Sequence, residues 1–191
     1  MKLIRAFFFV FTYLVNLPLL SLAKITPFTL QVNGFIIIFN QGSIKIGKGS
    51  KINSSPFRNI IGGDTRSSII IKKGAILIIG ENFKMSNSAI YCAEKISIGN
   101  NVMVGGSCRI WDTDFHPLNH VERFENPNAG YKTKSIFIGD NVFIGGSTII
   151  LKGTIIGRGA IIGAGSVVSA NIPENEIWAG NPAKFIKKVS I

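Results

Sequence analysis

Histidine, cysteine and acidic side chains are scarce in this sequence, and each scarcity removes a class of function. Two cysteines, Cys92 and Cys108, are too few for the disulfide framework of a small secreted domain, and neither stands in a CxxC. Two buried, reduced thiols in a cytoplasmic setting are the expectation. Two histidines, His116 and His120, cannot supply a three-histidine metal centre, so no metal site is expected. Only 10 Asp and Glu stand against 21 Lys and Arg, a net charge of +11. That balance suits nucleic acid, membrane phosphates or an anionic small molecule. The lysines are mostly spread singly among turns, with no arginine–aromatic stacking motif, which points away from nucleic acid. Charged residues make up 16% and hydrophobic ones 46%, excluding a disordered chain or a solvated helical rod.

Long apolar runs are also missing, except at the amino terminus. There Lys2 and Arg5 precede an apolar stretch over 6–22, interrupted by Asn16 and Pro18. Ser21-Leu22-Ala23 has the look of a signal-peptide cleavage site. The stretch is marginal in length for a membrane span, and Pro18 is expected to interrupt a continuous helix. A short hydrophobic helix is predicted instead, packed on the domain or lying in a membrane interface.

What the chain has in quantity is glycine, 21 residues, set among recurring Ile and Val. The recurrence is periodic. Ile138, Ile144, Ile150, Ile156, Ile162 and Val168 stand six residues apart. Four places after each come Val142, Thr148, Thr154, Ala160, Ser166 and Ile172, and Gly follows four of the six aliphatics. Ile98, Val104 and Ile110 form a second run, Ile79, Met85 and Tyr91 a third, and Ile46 and Ile52 a fourth. Changes of phase between runs mark slips or loops.

A helix would repeat near 3.6 residues and a flat strand at two. Six residues per face and three faces per turn make a triangular solenoid, with coils of about eighteen residues. The aliphatic residue points inward and stacks on its equivalents above and below. Gly, Asn and Asp, as in Asn100-Asn101 and Asp140-Asn141, take the corners that β-branched residues resist.

These repeats, with Ile162-Gly163-Ala164-Gly165-Ser166-Val167-Val168 and Ala179-Gly180-Asn181-Pro182-Ala183-Lys184, resemble the hexapeptide-repeat acyltransferases. Within them the chain is most similar to the sugar and polysaccharide O-acetyltransferases, the group of the galactoside, maltose and nodulation-factor enzymes. The resemblance covers roughly residues 40 to 188. It implies a mainly β fold, a left-handed parallel β-helix, with a hydrophobic helical segment over 1–33, the solenoid over 34–172 and a carboxy-terminal cap over 173–191. It also implies acetyl-CoA as co-substrate, a sugar acceptor and a homotrimer whose active sites lie between adjacent prisms.

The hexads stop after Ile110 and resume at Ile136 or Ile138, leaving a protruding loop near 111–135. Excursions of this kind are often functional. Acyl transfer to a hydroxyl needs a base near neutral pKa, for which imidazole is suited. The resemblance places the catalytic histidine before a proline in this loop, and His116-Pro117 matches. Asp112 and Asp114 are the nearby carboxylates to fix its tautomer, a task a backbone carbonyl also serves. His120 is a candidate acceptor contact or a solvated loop residue. The γ-type carbonic anhydrases share the solenoid but use three histidines on one metal.

The remaining site residues come from the resemblance alone. Gly146, after Ile144-Gly145, is the backbone amide for the oxyanion. Gly145, Ala164 and Ser169 lie along the pantetheine arm, with Lys184 and Lys187 near the phosphates. Ala170 stands where many relatives have Lys, and both Lys184 and Lys187 replace arginines of the galactoside enzyme. Lys152, Arg158 or Lys188 therefore become alternative phosphate contacts. Asn87 is the positional match for acceptor binding, and Ala93 replaces an acidic acceptor residue. Trp111 and Phe115 offer a sugar an aromatic face or serve packing.

The expected activity is acetyl-CoA-dependent O-acetylation of a sugar hydroxyl in surface-polysaccharide or glycan biosynthesis. The expected location is cytoplasmic, at the inner face of the membrane, with peripheral contact through the amino-terminal segment. Two rivals remain: N-acetylation of a nucleotide-linked amino sugar, and a non-catalytic solenoid scaffold or binding module. A serine O-acetyltransferase would need a long helical amino-terminal domain.

Overall fold

The computed structural model describes residues 2–26, 29–57, 59–63, 65–128 and 130–190. Its architecture is a left-handed parallel β-helix of six coils behind one helix, α1 (Lys2–Leu22). The first coil carries β1 (Leu30–Gly34), β2 (Ile37–Asn40) and β3 (Ser43–Ile46). The second carries β4 (Ser50–Ser54), β5 (Ser68–Ile71) and β6 (Ile76–Ile79), and the third β7 (Lys84–Ser86), β8 (Ala89–Cys92) and β9 (Lys95–Ile98). The fourth has β10 (Met103–Val104), β11 (Arg109–Trp111) and β12 (Ile136–Ile138). The fifth has β13 (Phe143–Ile144), β14 (Ile149–Ile150) and β15 (Ile155–Ile156). The sixth has β16 (Ile161–Ile162) and β17 (Val167–Val168), followed by β18 (Glu176–Ala179) and β19 (Lys184–Lys188).

Every third strand pairs in parallel, so the coils build three flat sheets. The first sheet runs β1-β4-β7-β10-β13-β16-β18-β19, the second β2-β5-β8-β11-β14-β17 and the third β3-β6-β9-β12-β15. The pattern ends at β18, which pairs in parallel with β16 only two strands earlier, and at β19, which pairs antiparallel with β18.

The period-six aliphatics fill the prism as expected. Ile138, Ile144, Ile150, Ile156, Ile162 and Val168 are all buried, as are the small partners four places on. Two polar corner ladders bond along the axis: Asn82 to Asn101 to Asn141, and Asn33 to Asn53. Asn82, Asn101 and Asn141 have positive φ, a conformation Asn tolerates and β-branched residues resist.

Three features differ from the sequence reading. The inward residue of β8 is Ile90, and Tyr91 faces outward, because the turn at Asn87-Ser88 shifts the phase. The solenoid begins at Leu30 rather than residue 34, since β1 already pairs with β4. Helix α1 also runs through Pro18. The donor that proline lacks is that of a bond to the carbonyl of Leu14, which lies on an exposed stretch of the helix.

Thr12, Asn16 and Leu20, spaced at i, i+4 and i+8, form the buried stripe of α1. That face lies against β1, with Asn16 Nδ2 donating to the carbonyl of Gly34 at 2.7 Å. The helix thus covers the open end of the first coil. Among the described residues, no helix is long and apolar enough to cross a membrane.

Candidate active site

Two excursions leave the prism. Residues 55–67 leave between the first and second sheets. The shape of that excursion is kept by a short 3-10 turn, Ile60–Gly62, capped by Asn59. The longer excursion, 112–135, leaves between the second and third sheets and carries His116.

The base of the longer loop is held at several points. Thr113 bridges antiparallel to Thr133, the amide of Asp114 donates to Lys132 and the amide of Lys134 donates to Asp112. Further out, helix α2 (His120–Glu125) is capped by Asn119, whose Oδ1 accepts from the amide of Val121 at 2.9 Å. The Arg123 guanidinium donates to the carbonyls of Pro117 and Leu118. This is a folded arm.

His116 is exposed, and its Nδ1 lies 2.7 Å from the carbonyl oxygen of Pro127. A carbonyl only accepts, so Nδ1 carries the proton and Nε2 of the neutral ring is left with the lone pair. The expectation that Asp112 or Asp114 orients this ring is corrected.

Asp112 follows inward Ile110 and outward Trp111 at strand alternation, and so turns inward itself. Fully buried, it accepts the amides of Ala93, Glu94 and Lys95 at 2.6, 2.8 and 2.8 Å. Asp114 pairs with Lys152 of the next coil at 3.2 Å. That pair commits Lys152, which the sequence left as a phosphate contact. Burial and the neighbouring Asp112 push the Cys92 thiol up to about 12, and burial also raises Cys108. Both thiols are free and buried. The hydroxyls of Thr133 and Ser135 hold the Glu94 carboxyl below its ordinary range.

Beside His116 lies a cleft of about 320 Å³ lined by Lys72, Tyr91, Thr113, Phe115, Asn128 and Tyr131. Phe115, at φ +63°, packs edge-on against Tyr91 with ring centroids 4.8 Å apart, and Trp111 lies behind it at 6.0 Å. Of the acceptor residues expected from sequence, Phe115 lines this cleft, whereas Trp111, His120 and Asn87 do not. Trp111 backs Phe115, and His120 begins α2 in solvent. Asn87 is buried on the other corner, donating to the carbonyl of Gly63 and accepting the amide of Ser55. Lys72 and Tyr91 escaped notice because they belong to the second and third coils. The coil repeat carries the signal: Ile70, Tyr91 and Trp111 are successive partners across the second sheet.

The other predicted residues divide between corners. Gly145, Gly146 and Ala164 lie with Asn87 where the first sheet turns into the second, whereas Ser169 lies where the second turns into the third. Lys184 and Lys187 are exposed on β19. Gly146 passes close above Gly105, where a Cβ would lie 2.5 Å from the Gly146 nitrogen. No acceptor for the Gly146 amide is found among the described residues. Within one chain, His116 and Gly146 therefore occupy different corners of the prism.

Comparison with known proteins places this geometry. Residues 135–170 match the family model described as bacterial transferase hexapeptide (six repeats). The polysialic acid O-acetyltransferase of Neisseria meningitidis is 33% identical over 139 residues, 66% of this chain and 60% of that protein. The chain thus spans less than two thirds of the length of that curated relative. A maltose O-acetyltransferase from Clostridium difficile superimposes with a TM-score of 0.55 at 26% identity, over 96% of this chain and 89% of that one. A galactoside acetyltransferase in complex with coenzyme A gives 0.51 at 25% identity, over 89% and 72%.

Proposed function

We propose that the protein is an acetyl-CoA-dependent O-acetyltransferase acting on a sugar hydroxyl in surface-polysaccharide or glycan biosynthesis. The observation that carries this is the His116 imidazole, held at Nδ1 by the Pro127 carbonyl beside an aromatic and polar cleft, which leaves Nε2 as the acceptor of the neutral tautomer. The acetyltransferases named above share the solenoid and support the same chemistry.

In this reading Nε2 takes the proton of the acceptor hydroxyl as that oxygen attacks the thioester carbon. The tetrahedral oxyanion is held by the amide of Gly146. Collapse breaks the carbon–sulfur bond, and the imidazolium returns its proton to the departing thiolate. Since His116 and Gly146 sit on different corners, the two would meet on one acyl group only between adjacent prisms. This favours a homotrimer with shared sites. Gly145, Ala164 and Ser169 would flank the pantetheine arm, and Lys184 and Lys187 would reach the phosphates as exposed point charges. Among the lining residues no carboxylate is available to hold an ammonium, which favours hydroxyl over amino acceptors.

The test is mass spectrometry of sugars incubated with protein and acetyl-CoA. His116→Ala should lower the rate by about 10²–10⁴-fold. An unchanged rate would make the solenoid a scaffold with respect to this histidine. Peripheral membrane contact at the inner face would use the exposed Val10, Leu14 and Leu22 of α1 with the chain's positive charge. Replacing those three by serine should release the protein in cell fractionation, and an unchanged distribution would end that part of the reading.

A further inference from the structure

We infer that the cleft beside His116 selects an acceptor sugar carrying a negative charge, a ring carboxylate or a phosphate ester, which Lys72 binds. The inference rests on the acetyl-transfer reading and adds the class of acceptor.

It follows from the charges around the cleft. Of the residues lining it, Lys72 is the one fixed cation, and none is a carboxylate. The two acidic residues nearest in sequence are both withdrawn. Asp112 is buried under the amides of the β8–β9 turn, and Asp114 is paired with Lys152. Glu94 is engaged by the Ser135 hydroxyl at 2.7 Å. Lys72 has no ion-pair partner among the described residues, so its charge is free for a ligand.

Its backbone is also fixed. The Lys72 amide donates to the Cys92 carbonyl at 2.9 Å, and the Lys72 carbonyl accepts the Ala75 amide at 3.0 Å across the turn at Gly74. A lysine on a rigid corner, one coil from Tyr91, carries a point charge on a flexible stem rooted beside the aromatic wall. About 320 Å³ lies at the lower end of ligand pockets and suits one sugar ring. Tyr91, Phe115 and Tyr131 offer faces for its C–H groups, and the two tyrosines add hydroxyls for its polar edge. Thr113 and Asn128 add uncharged hydrogen-bonding groups. A neutral sugar would leave the ammonium uncompensated.

The test uses three acceptors on one ring: a neutral hexoside, its uronic acid and its phosphate ester, with CoA release as readout. Wild-type protein should favour one or both acids by at least about tenfold in kcat/KM. Lys72→Gln should reduce that preference about tenfold, through KM. Lys73→Gln, which removes the same charge from an exposed neighbour outside the cleft, should keep it. Whichever acid responds to Lys72→Gln identifies carboxylate or phosphate as the group bound. Equal use of the neutral hexoside, or a preference that survives Lys72→Gln, overturns the inference and leaves acetyl transfer standing.

Binding is measured separately on His116→Ala protein, by tyrosine and tryptophan fluorescence with the same three sugars. Binding of an acid that weakens about tenfold when Lys72→Gln is added supports the inference even if no acceptor releases CoA, a result that would sink acetyl transfer alone. Absence of binding by either acid overturns it.

Discussion

Asp114 Oδ1 and Lys152 Nζ, 3.2 Å apart, join the arm that bears His116 to the coil above it. The residue two places before Asp114, Asp112, joins the same arm to the coil below through three amides. The histidine is thereby suspended between the third and fifth coils, although neither carboxylate touches it.

Loss of the Asp114–Lys152 pair should affect turnover more than stability. Both side chains are partly exposed, and such a pair contributes about 0–1 kcal/mol. Asp114→Asn and Lys152→Gln should each lower kcat several-fold with little change in melting temperature. Their effects should not add in the double variant. Additive losses in kcat would show that the pair does not act as a unit.

Asp112 should behave in the opposite way. Replacement by alanine strands three amides of a buried corner, at a cost of about 2–4 kcal/mol. Thermal and urea unfolding of Asp112→Ala should report that loss, and a drop under 0.5 kcal/mol would contradict this role.

Cys92 and Cys108 should be unreactive in the folded protein. With the Cys92 thiol pushed up to about 12, the thiolate fraction at pH 8 is about one in ten thousand. A thiol-reactive disulfide reagent should label neither residue natively and both in denaturant. Rapid native labelling would show an open corner at β8.

Glu94 gives the arm a sensitivity to acid. Its carboxyl titrates below its ordinary value of 4.5 because Thr133 and Ser135 donate to it. The stabilisation is therefore present above that value and lost as pH falls through the lower folded value. Limited proteolysis over 112–135 should increase as pH drops below that ordinary value. Glu94→Gln should show faster cleavage already at neutral pH and less dependence on acidity.

The sequence was most readable where the repeat is most regular. From Ile138 to Ile172 each inward position is aliphatic or small, so period six alone identifies what the prism buries. His116 was readable for a different reason, standing before Pro117 in the one long break. Asp112 was misread because closeness in sequence suggested contact, whereas alternation after Ile110 turns it into the corner. The excursion at 55–67 was hidden because a stretch without the six-residue period between Ile52 and Ile69 resembles a phase slip. Lys72, Asn128 and Tyr131 were not legible at all. They meet His116 through the stacking of coils and the return of the arm, neither of which follows from local spacing.

The two ends of the stack are closed by different means, α1 over the first coil and the lysine-rich β19 turned back against β18. A parallel ladder left open would be a template on which another chain could continue. In the first sheet the parallel ladder therefore ends on a helix at one side and on a reversed strand at the other, so a second prism stacked end to end could not continue its register there.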